Sequence, residues 1–128
     1  MQVLLKSNSV PLYSLGKGKF YREDDKLQLD VGPFAAALEF ASERNAKVCG
    51  KPDPTFFLAG LSCLGLEAGE VVMVGDDIVS DVGGAQAVGI RGVQVRTGKF
   101  RPSDEHHPHV KPDLIVDNLE SFVDMILS

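Results

Sequence analysis

The chain has 128 residues, of which 44% are hydrophobic and 24% charged, as in one ordinary globular domain. A formal net charge of −5 excludes the broad basic field that attracts nucleic acid. The longest apolar runs fall short of the roughly 18–20 residues needed to span a bilayer. The sequence therefore predicts neither a nucleic-acid nor a membrane partner.

The chain has two cysteines, Cys49 and Cys63. A small secreted domain usually carries more cysteines, paired in disulfides, so we expect two free thiols in a reducing compartment. We accordingly expect a cytoplasmic protein, with the nucleus as a further location.

The first third of the chain predicts short elements around one helix. In chain order these are a helix end at Gln2 to Leu5, a polar break at Lys6 to Ser9, a strand at Val10 to Leu15, and two strand pieces, Phe20-Tyr21 and Leu27 to Leu29, flanking a polar turn at Arg22 to Lys26. Gly32-Pro33 then predicts the start of a helix, because proline suits the first helical position.

From residue 48 onward the pattern alternates between strands and helices. The predicted strands are Val48-Cys49, Val71 to Val74, Ile90 to Val95 and Leu114 to Val116, and the predicted helices run from Pro54 to Leu64, Val79 to Val88 and Leu119 to Leu127. The run Val71 to Val74 is continuously apolar, which predicts a strand buried on both faces. The spacing of Phe57, Leu58, Leu61 and Leu64 predicts one apolar side of the first helix. Strict alternation predicts an α/β fold, a Rossmann-like parallel sheet with helices on both faces.

Such sheets bind ligands beyond the carboxyl ends of their strands, so the loops there are candidate sites. In the first loop, Lys51 lies between Gly50 and Pro52 and is placed to meet a phosphate as a point charge. A lysine in a turn is more often simply solvated, so Lys51 alone decides little.

The second loop carries the strongest signal. Asp76 and Asp77 directly follow a predicted buried strand, and Asp81 comes early in the next helix. Adjacent carboxylates repel each other, and a magnesium ion, which prefers oxygen ligands, would offset their charge. The alternative is that these aspartates only cap the helix, but one cap accounts for one aspartate.

The third loop offers cationic and hydroxyl groups in Arg96-Thr97-Gly98-Lys99, which we expect at the same edge of the sheet. It also contains His106, His107 and His109. A proline interrupts these histidines and no cysteine is near, so we expect a solvated loop there rather than a transition-metal site.

The segments Gly50-Lys51-Pro52, Gly75 to Asp81 and Gly83 to Gln86 together resemble the third and fourth motifs of the haloacid dehalogenase superfamily. The resemblance implies a magnesium-dependent phosphatase that forms an aspartyl-phosphate. Lys51 would bind the substrate phosphate as a catalytic residue, Asp76 would ligate Mg²⁺, and Asp77 and Asp81 would support the metal as further catalytic residues. The implied substrates are inorganic pyrophosphate and phosphohistidine or phospholysine, as small phosphorylated molecules or a phosphoprotein.

The resemblance departs from the family at the start of the chain, where the family has an apolar strand running into Asp-x-Asp. We therefore expect residues 1–46 to be a remnant of a cap domain with its return linker, and residues 47–128 to be the carboxy-terminal part of the hydrolase core. Without the nucleophile half, the chain is expected to be inactive alone.

Two other functions stay open. A truncated form would bind or dimerise without hydrolysis, because an uncovered sheet edge favours a partner, and we expect a homodimer. A receiver-like phosphoacceptor also uses an acidic pair and a lysine, but there the acidic pair precedes the lysine, whereas Lys51 precedes Asp76 here.

Overall fold

The computed structural model describes residues 2–6 and 9–128, so Ser7 and Asn8 of the predicted polar break lie outside it. The helices are α1 Gln2–Lys6, α2 Val31–Ser42, α3 Pro54–Leu64, α4 Gly84–Gln86 and α5 Leu119–Leu127. The strands are β1 Tyr13–Ser14, β2 Phe20–Glu23, β3 Lys26–Leu29, β4 Lys47–Val48, β5 Val72–Gly75, β6 Arg91–Val95 and β7 Leu114–Val116. Over the described residues, no helix has the length and apolar character to cross a membrane.

The central sheet has three parallel strands in the order β5-β6-β7. The predicted parallel α/β architecture is confirmed, with one correction. β4 does not join this sheet but pairs in parallel with β1, where Tyr13 lies opposite Lys47. Strand β1 is also shorter than the predicted Val10 to Leu15: Tyr13 and Ser14 pair with β4, and Pro11 has no N–H to donate to a neighbouring strand.

An antiparallel hairpin, β2–β3, leads into α2. Its tip is tighter than predicted, because Asp24 and Asp25 adopt positive φ angles of 47° and 57° and let the strands extend to Glu23 and Lys26. Helix α2 begins after Asp30, whose side chain accepts a hydrogen bond from the Val31 N–H.

Helix α3 has the predicted bounds because both of its ends are determined by local chemistry. Asp53 accepts a hydrogen bond of 2.9 Å from the Thr55 N–H, and Pro54 occupies the first turn. Gly65 ends the helix at φ 66°, a left-handed conformation that favours glycine.

The segment predicted as a helix from Val79 to Val88 is instead a π-helix, Ile78–Gly83, followed by the short α4. The carbonyl of Asp77 accepts from the N–H groups of both Asp81 (2.9 Å) and Val82 (3.3 Å), which widens the first turn. Wide turns of this kind occur frequently at functional sites.

The apolar core lies between α3, α4 and the sheet and centres on Phe57, Ala85 and Ile90. The predicted apolar side of α3 is only partly correct, because Leu58 and Leu64 are 52% and 62% exposed. Residues Val72 to Gly75 of β5 are half-buried rather than buried on both faces. β5 is an edge strand of the three-stranded sheet, so its outer side packs against less protein than the sequence pattern implied.

Candidate functional site

Residues from three loops meet at the carboxyl edge of the central sheet. Asp76 and Asp77 follow β5, and Lys99 lies in the loop after β6. Because β5 and β6 are parallel, with Gly75 opposite Gln94, both loops leave the sheet on the same side. Lys51 approaches from the loop between β4 and α3. The structure therefore brings all four sequence-predicted site residues, Lys51, Asp76, Asp77 and Asp81, to one place.

Lys51 and Asp81 form the shortest ion pair of the site. The Lys51 Nζ lies 2.6 Å from the Asp81 Oδ1, and the Asp81 side chain is only 5% exposed. The other oxygen, Oδ2, accepts a hydrogen bond of 3.2 Å from the Asp77 N–H. A buried carboxylate is stable only when it is paired and hydrogen-bonded, and Asp81 has both kinds of partner.

Asp77 caps the π-helix. Its Oδ1 accepts hydrogen bonds from the N–H groups of Val79 (3.1 Å) and Ser80 (2.9 Å). The capping interpretation therefore accounts for Asp77, but Asp76 and Asp81 have other partners.

Asp76 is held by the loop that follows β6. Its Oδ2 accepts a hydrogen bond of 2.7 Å from the Lys99 N–H. The preceding residue, Gly98, has φ 55°, and a Cβ atom at this position would collide with the Asp76 carboxylate. Glycine is therefore required for the loop to approach Asp76 this closely.

Lys99 connects the site to the start of α2. Its Nζ lies 3.2 Å from the Asp30 Oδ2 and 3.5 Å from the Asp77 Oδ2. Burial opposes the charge of Lys99, but the hydrogen bond and attraction of these two carboxylates outweigh it and raise the pKa of the lysine. The Val31 N–H, with a smaller contribution from Lys99, lowers the pKa of Asp30 against the effect of burial.

Sequence reasoning missed Asp30 as a member of this group. Asp30 precedes a proline-containing helix start, which indicates a cap, but nothing local indicates its contact with a lysine 69 residues away. The expectation for Arg96 also needs correction. Its guanidinium pairs with Glu105 and Asp117, each at 2.8 Å, and so ties down the loop after β6 instead of joining the site.

The histidine loop carries no metal centre in the described structure, where no group of three His, Cys, Asp or Glu side chains could hold a metal ion. His106 and His109 are exposed, as expected for a solvated loop, whereas His107 is half-buried. Its Nδ1 accepts a hydrogen bond of 3.1 Å from the Val110 N–H. Cys49 and Cys63 are exposed free thiols, as expected.

The donor chemistry around Asp76 fits Mg²⁺. Within residues 2–6 and 9–128, Asp76 Oδ2 accepts the Lys99 N–H and its Oδ1 accepts no hydrogen bond. Magnesium binds proteins through one or two carboxylates and completes its shell with waters and substrate phosphates, so it does not need three protein ligands. Asp76 can supply one such oxygen.

These features define a class of protein. Residues 48–122 match the HAD-hydrolase-like family, and the chain belongs to this family of haloacid dehalogenase-like hydrolases. The resemblance inferred from the Lys51 and Asp76 motifs is thereby confirmed.

The chain is similar to individual curated proteins over nearly its whole length. The chain is 58% identical over 126 residues to the phospholysine phosphohistidine inorganic pyrophosphate phosphatase of Bos taurus, a match that covers 98% of this chain and 47% of that protein. It thus spans about half the length of the curated relatives that it matches.

Solved structures agree on the fold. A p-nitrophenyl phosphatase from Archaeoglobus fulgidus has a TM-score of 0.74 and 29% identity, over 86% of this chain and 44% of that one. A glycerol phosphate phosphatase from Mycobacterium tuberculosis, solved in complex with magnesium, has a TM-score of 0.73 and 24% identity, over 88% of this chain and 34% of that one. At 24% identity the second structure supports the fold alone.

Proposed function

We propose that the chain is part of a magnesium-dependent phosphatase that hydrolyses inorganic pyrophosphate and phosphorus–nitrogen bonds of the phosphohistidine and phospholysine type through an aspartyl-phosphate. The observation that carries this proposal is the meeting of Lys51, Asp76, Asp77 and Asp81 at one sheet edge. The substrate class is taken from the name of the Bos taurus relative, which is 58% identical to the chain.

Each residue has a distinct role in this proposal. Asp76 would hold Mg²⁺, which neutralises phosphate charge when bound. The Lys51 side chain is 39% exposed, and its ammonium would hold a phosphoryl oxygen as a compact point charge. Asp81 orients Lys51 through their ion pair, and Asp77 holds the start of the π-helix in place.

We propose that the attacking aspartate lies outside these 128 residues. Phosphoryl transfer needs a nucleophile in line with the leaving oxygen. Each of the three aspartates of the site has another partner in this proposal. Asp76 would be committed to the cation, Asp77 to the helix cap and Asp81 to Lys51. In the same proposal, residues 1–46 belong to a cap domain and residues 47–128 to the hydrolase core.

The nucleophile proposal is tested by assaying pyrophosphate and phosphohistidine hydrolysis with Mg²⁺. We expect no turnover by the 128-residue chain and turnover by a longer polypeptide that adds the amino-terminal half of the relatives. Magnesium-dependent turnover by the short chain that is lost in Lys51→Ala would contradict the assignment.

The site assignment is tested in the longer polypeptide. Asp76→Asn should abolish turnover while leaving the circular dichroism spectrum unchanged, whereas Asp24→Asn, at the exposed hairpin tip, should leave both unchanged. Lys51→Ala should lower the rate at least about 100-fold, the scale for removing one preorganised electrostatic group. Lys51→Arg should restore little of it, because a planar guanidinium does not replace an ammonium. Normal rates for Asp76→Asn would refute the metal role.

A second candidate function, a non-catalytic association module, is favoured by one surface. Beside the edge strand β5, the apolar side chains Phe56 and Leu64 of α3 are 45% and 62% exposed and line one groove with Val72 and Met73 of β5. Exposed apolar patches of this kind often mark interaction sites, and we propose a homodimer through this face. Leu64→Lys should shift sedimentation velocity from dimer to monomer, whereas Leu27→Lys on the hairpin should not. A wild-type chain that sediments as a monomer would exclude this candidate.

A further inference from the structure

Beyond the residues used so far, a cleft of about 110 Å³ beside Asp76 and Asp77 is lined by several cationic side chains. Those with no role in the proposed chemistry are Lys17, Lys19 and Arg101. His107 and the ring of Phe20 complete the same wall. A group of cations that neither holds the metal nor orients Lys51 requires its own explanation.

Lys17 and Lys19 are held next to the site by their backbone. The Lys17 N–H donates to the Lys51 carbonyl at 3.2 Å, and the Lys19 carbonyl accepts the Asp30 N–H at 3.2 Å. Both side chains are exposed, and within the described ranges neither pairs with a carboxylate inside 4.0 Å. Within the described residues their ammonium groups therefore have no ion-pair partner, and their backbones are held near the proposed phosphate-binding lysine.

Contacts with Phe20 and Asp104 orient the Arg101 side chain. Its guanidinium carbon lies 5.0 Å from the centroid of the Phe20 ring, a stacking distance for a cation on an aromatic face. Its backbone N–H donates to the Asp104 Oδ2 at 2.9 Å, and its Nη2 lies 3.8 Å from the Asp104 Oδ1. Asp104 is buried, lines the same cleft and partly offsets the charge of Arg101 while orienting it.

His107 adds a hydrogen-bond donor to this wall. Its Nδ1 accepts the Val110 N–H, so its proton is carried on Nε2. This nitrogen is then a hydrogen-bond donor, like the three cations. Three acidic groups line the cleft: Asp104, which contacts Arg101, and Asp76 and Asp77, which lie at the end that the metal would occupy and contact Lys99.

We infer that Lys17, Lys19, Arg101 and His107 form a subsite for a second phosphate group, the one that leaves when a diphosphate is cleaved. The inference rests on the proposed function in that it takes a diphosphate as the substrate. A compact, highly charged anion suits this wall, because three cations and one donor converge on it and two of the cations have no competing carboxylate. Residues that contact the departing phosphate would favour pyrophosphate over a phosphate carrying an uncharged group.

The test is calorimetric binding of inorganic pyrophosphate and of orthophosphate to the 128-residue chain in chelator, without divalent cation. Wild-type protein should bind pyrophosphate more tightly than orthophosphate. The double variant Lys17→Ala/Lys19→Ala should bind pyrophosphate about fivefold more weakly or worse, as expected for two partly exposed charge contacts. The control Lys26→Ala/Lys111→Ala removes the same charge elsewhere and should bind like wild type.

The inference is overturned if wild type binds both anions equally or not at all, or if the two double variants lose the same affinity. Circular dichroism of each variant establishes that the fold is retained. Because no turnover or metal enters the measurement, its failure is distinct from failure of the Asp76→Asn test, which concerns the proposed reaction.

Discussion

The ammonium of Lys51 and the carboxylate of Asp81 meet at 2.6 Å across 30 residues of chain, joining the loop after β4 to the π-helix after β5. Asp81 is nearly inaccessible to solvent, whereas Lys51 is 39% exposed. The pair therefore serves two purposes. It compensates a buried charge, and it directs a partly exposed ammonium toward the site.

The first prediction concerns the stability of this pair. Lys51→Met should lower the free energy of unfolding by about 1–3 kcal/mol, because it leaves the buried Asp81 carboxylate without its charged partner. Asp81→Asn in the same background should recover part of that loss. Urea denaturation of both single variants and the double variant measures the coupling, with Lys26→Met as the surface control. A coupling free energy near zero would contradict the structural role.

The second prediction concerns Gly98. Gly98→Ala should lower the free energy of unfolding by about 1–3 kcal/mol, since alanine is strained at φ 55° and its Cβ would displace the Asp76 carboxylate. Gly60→Ala is the matched control, because nothing lies within 4 Å of a Cβ at that helical position. There the change should stabilise the chain slightly, as alanine is the better helix former. Equal effects at both sites would show that Gly98 is not under this constraint.

The third prediction concerns pH and Asp30. Its folded-state pKa is lowered from 3.8, so its stabilising contribution is present above that value and is lost as the pH falls through the folded-state pKa. Asp30→Asn keeps a residue that caps helices but removes the charge facing Lys99. The wild-type advantage in unfolding free energy over this variant should be largest at pH 6 and should shrink on acidification from about pH 5 to pH 3.

The measurement is urea denaturation at several pH values, with Asp25→Asn as the matched loss of one carboxylate at the hairpin tip. If Asp30→Asn and wild type differ by the same amount at pH 6 and pH 3, the Asp30 charge contributes nothing to stability, either through the hydrogen bond from the Val31 N–H or through the ion pair with Lys99.

The fourth prediction concerns Gln94, which is 0% exposed in the middle of β6. Neither of its side-chain amide atoms has a hydrogen-bond partner among the described residues. A buried amide left unpaired costs about 1–3 kcal/mol, so Gln94→Leu should raise the free energy of unfolding. Thermal and urea denaturation measure the change, and Gln28→Leu on the exposed strand β3 is the control. A destabilised Gln94→Leu variant would mean that the amide is paired.

Elements whose ends depend on neighbouring residues could be predicted from the sequence. Asp53, Pro54 and Gly65 define α3 through a cap, a first-turn proline and a left-handed glycine. Strand β7 and helix α5 also have their predicted bounds. Helix α5 begins after Asn118, whose side chain caps it by accepting the Ser121 N–H. These signals act over a few residues and need no knowledge of the rest of the fold.

Features that depend on distant packing could not be predicted in this way. The apolar spacing of Leu58 and Leu64 indicates a helix face but not whether protein covers it. The π-helix arises because the carbonyl and the carboxylate of Asp77 each accept hydrogen bonds from backbone N–H groups. Residue spacing in the sequence does not reveal these bonds. The motif residues Asp76 and Lys51 could be located from the sequence, but the contacts of Lys99 with Asp30 and Asp77 could not.

The contacts of the loop after β6 have a consequence for folding order. The Lys99 backbone N–H binds Asp76, and its ammonium binds Asp30. The contact with Asp30 joins residues that are 69 positions apart in the chain. Loops of this length must close before their contacts stabilise anything, so we expect the site to form late in folding. Conversely, opening of residues 97–101 alone would release both aspartates together. Hydrogen exchange at the Lys99 amide would therefore report the lifetime of the assembled site.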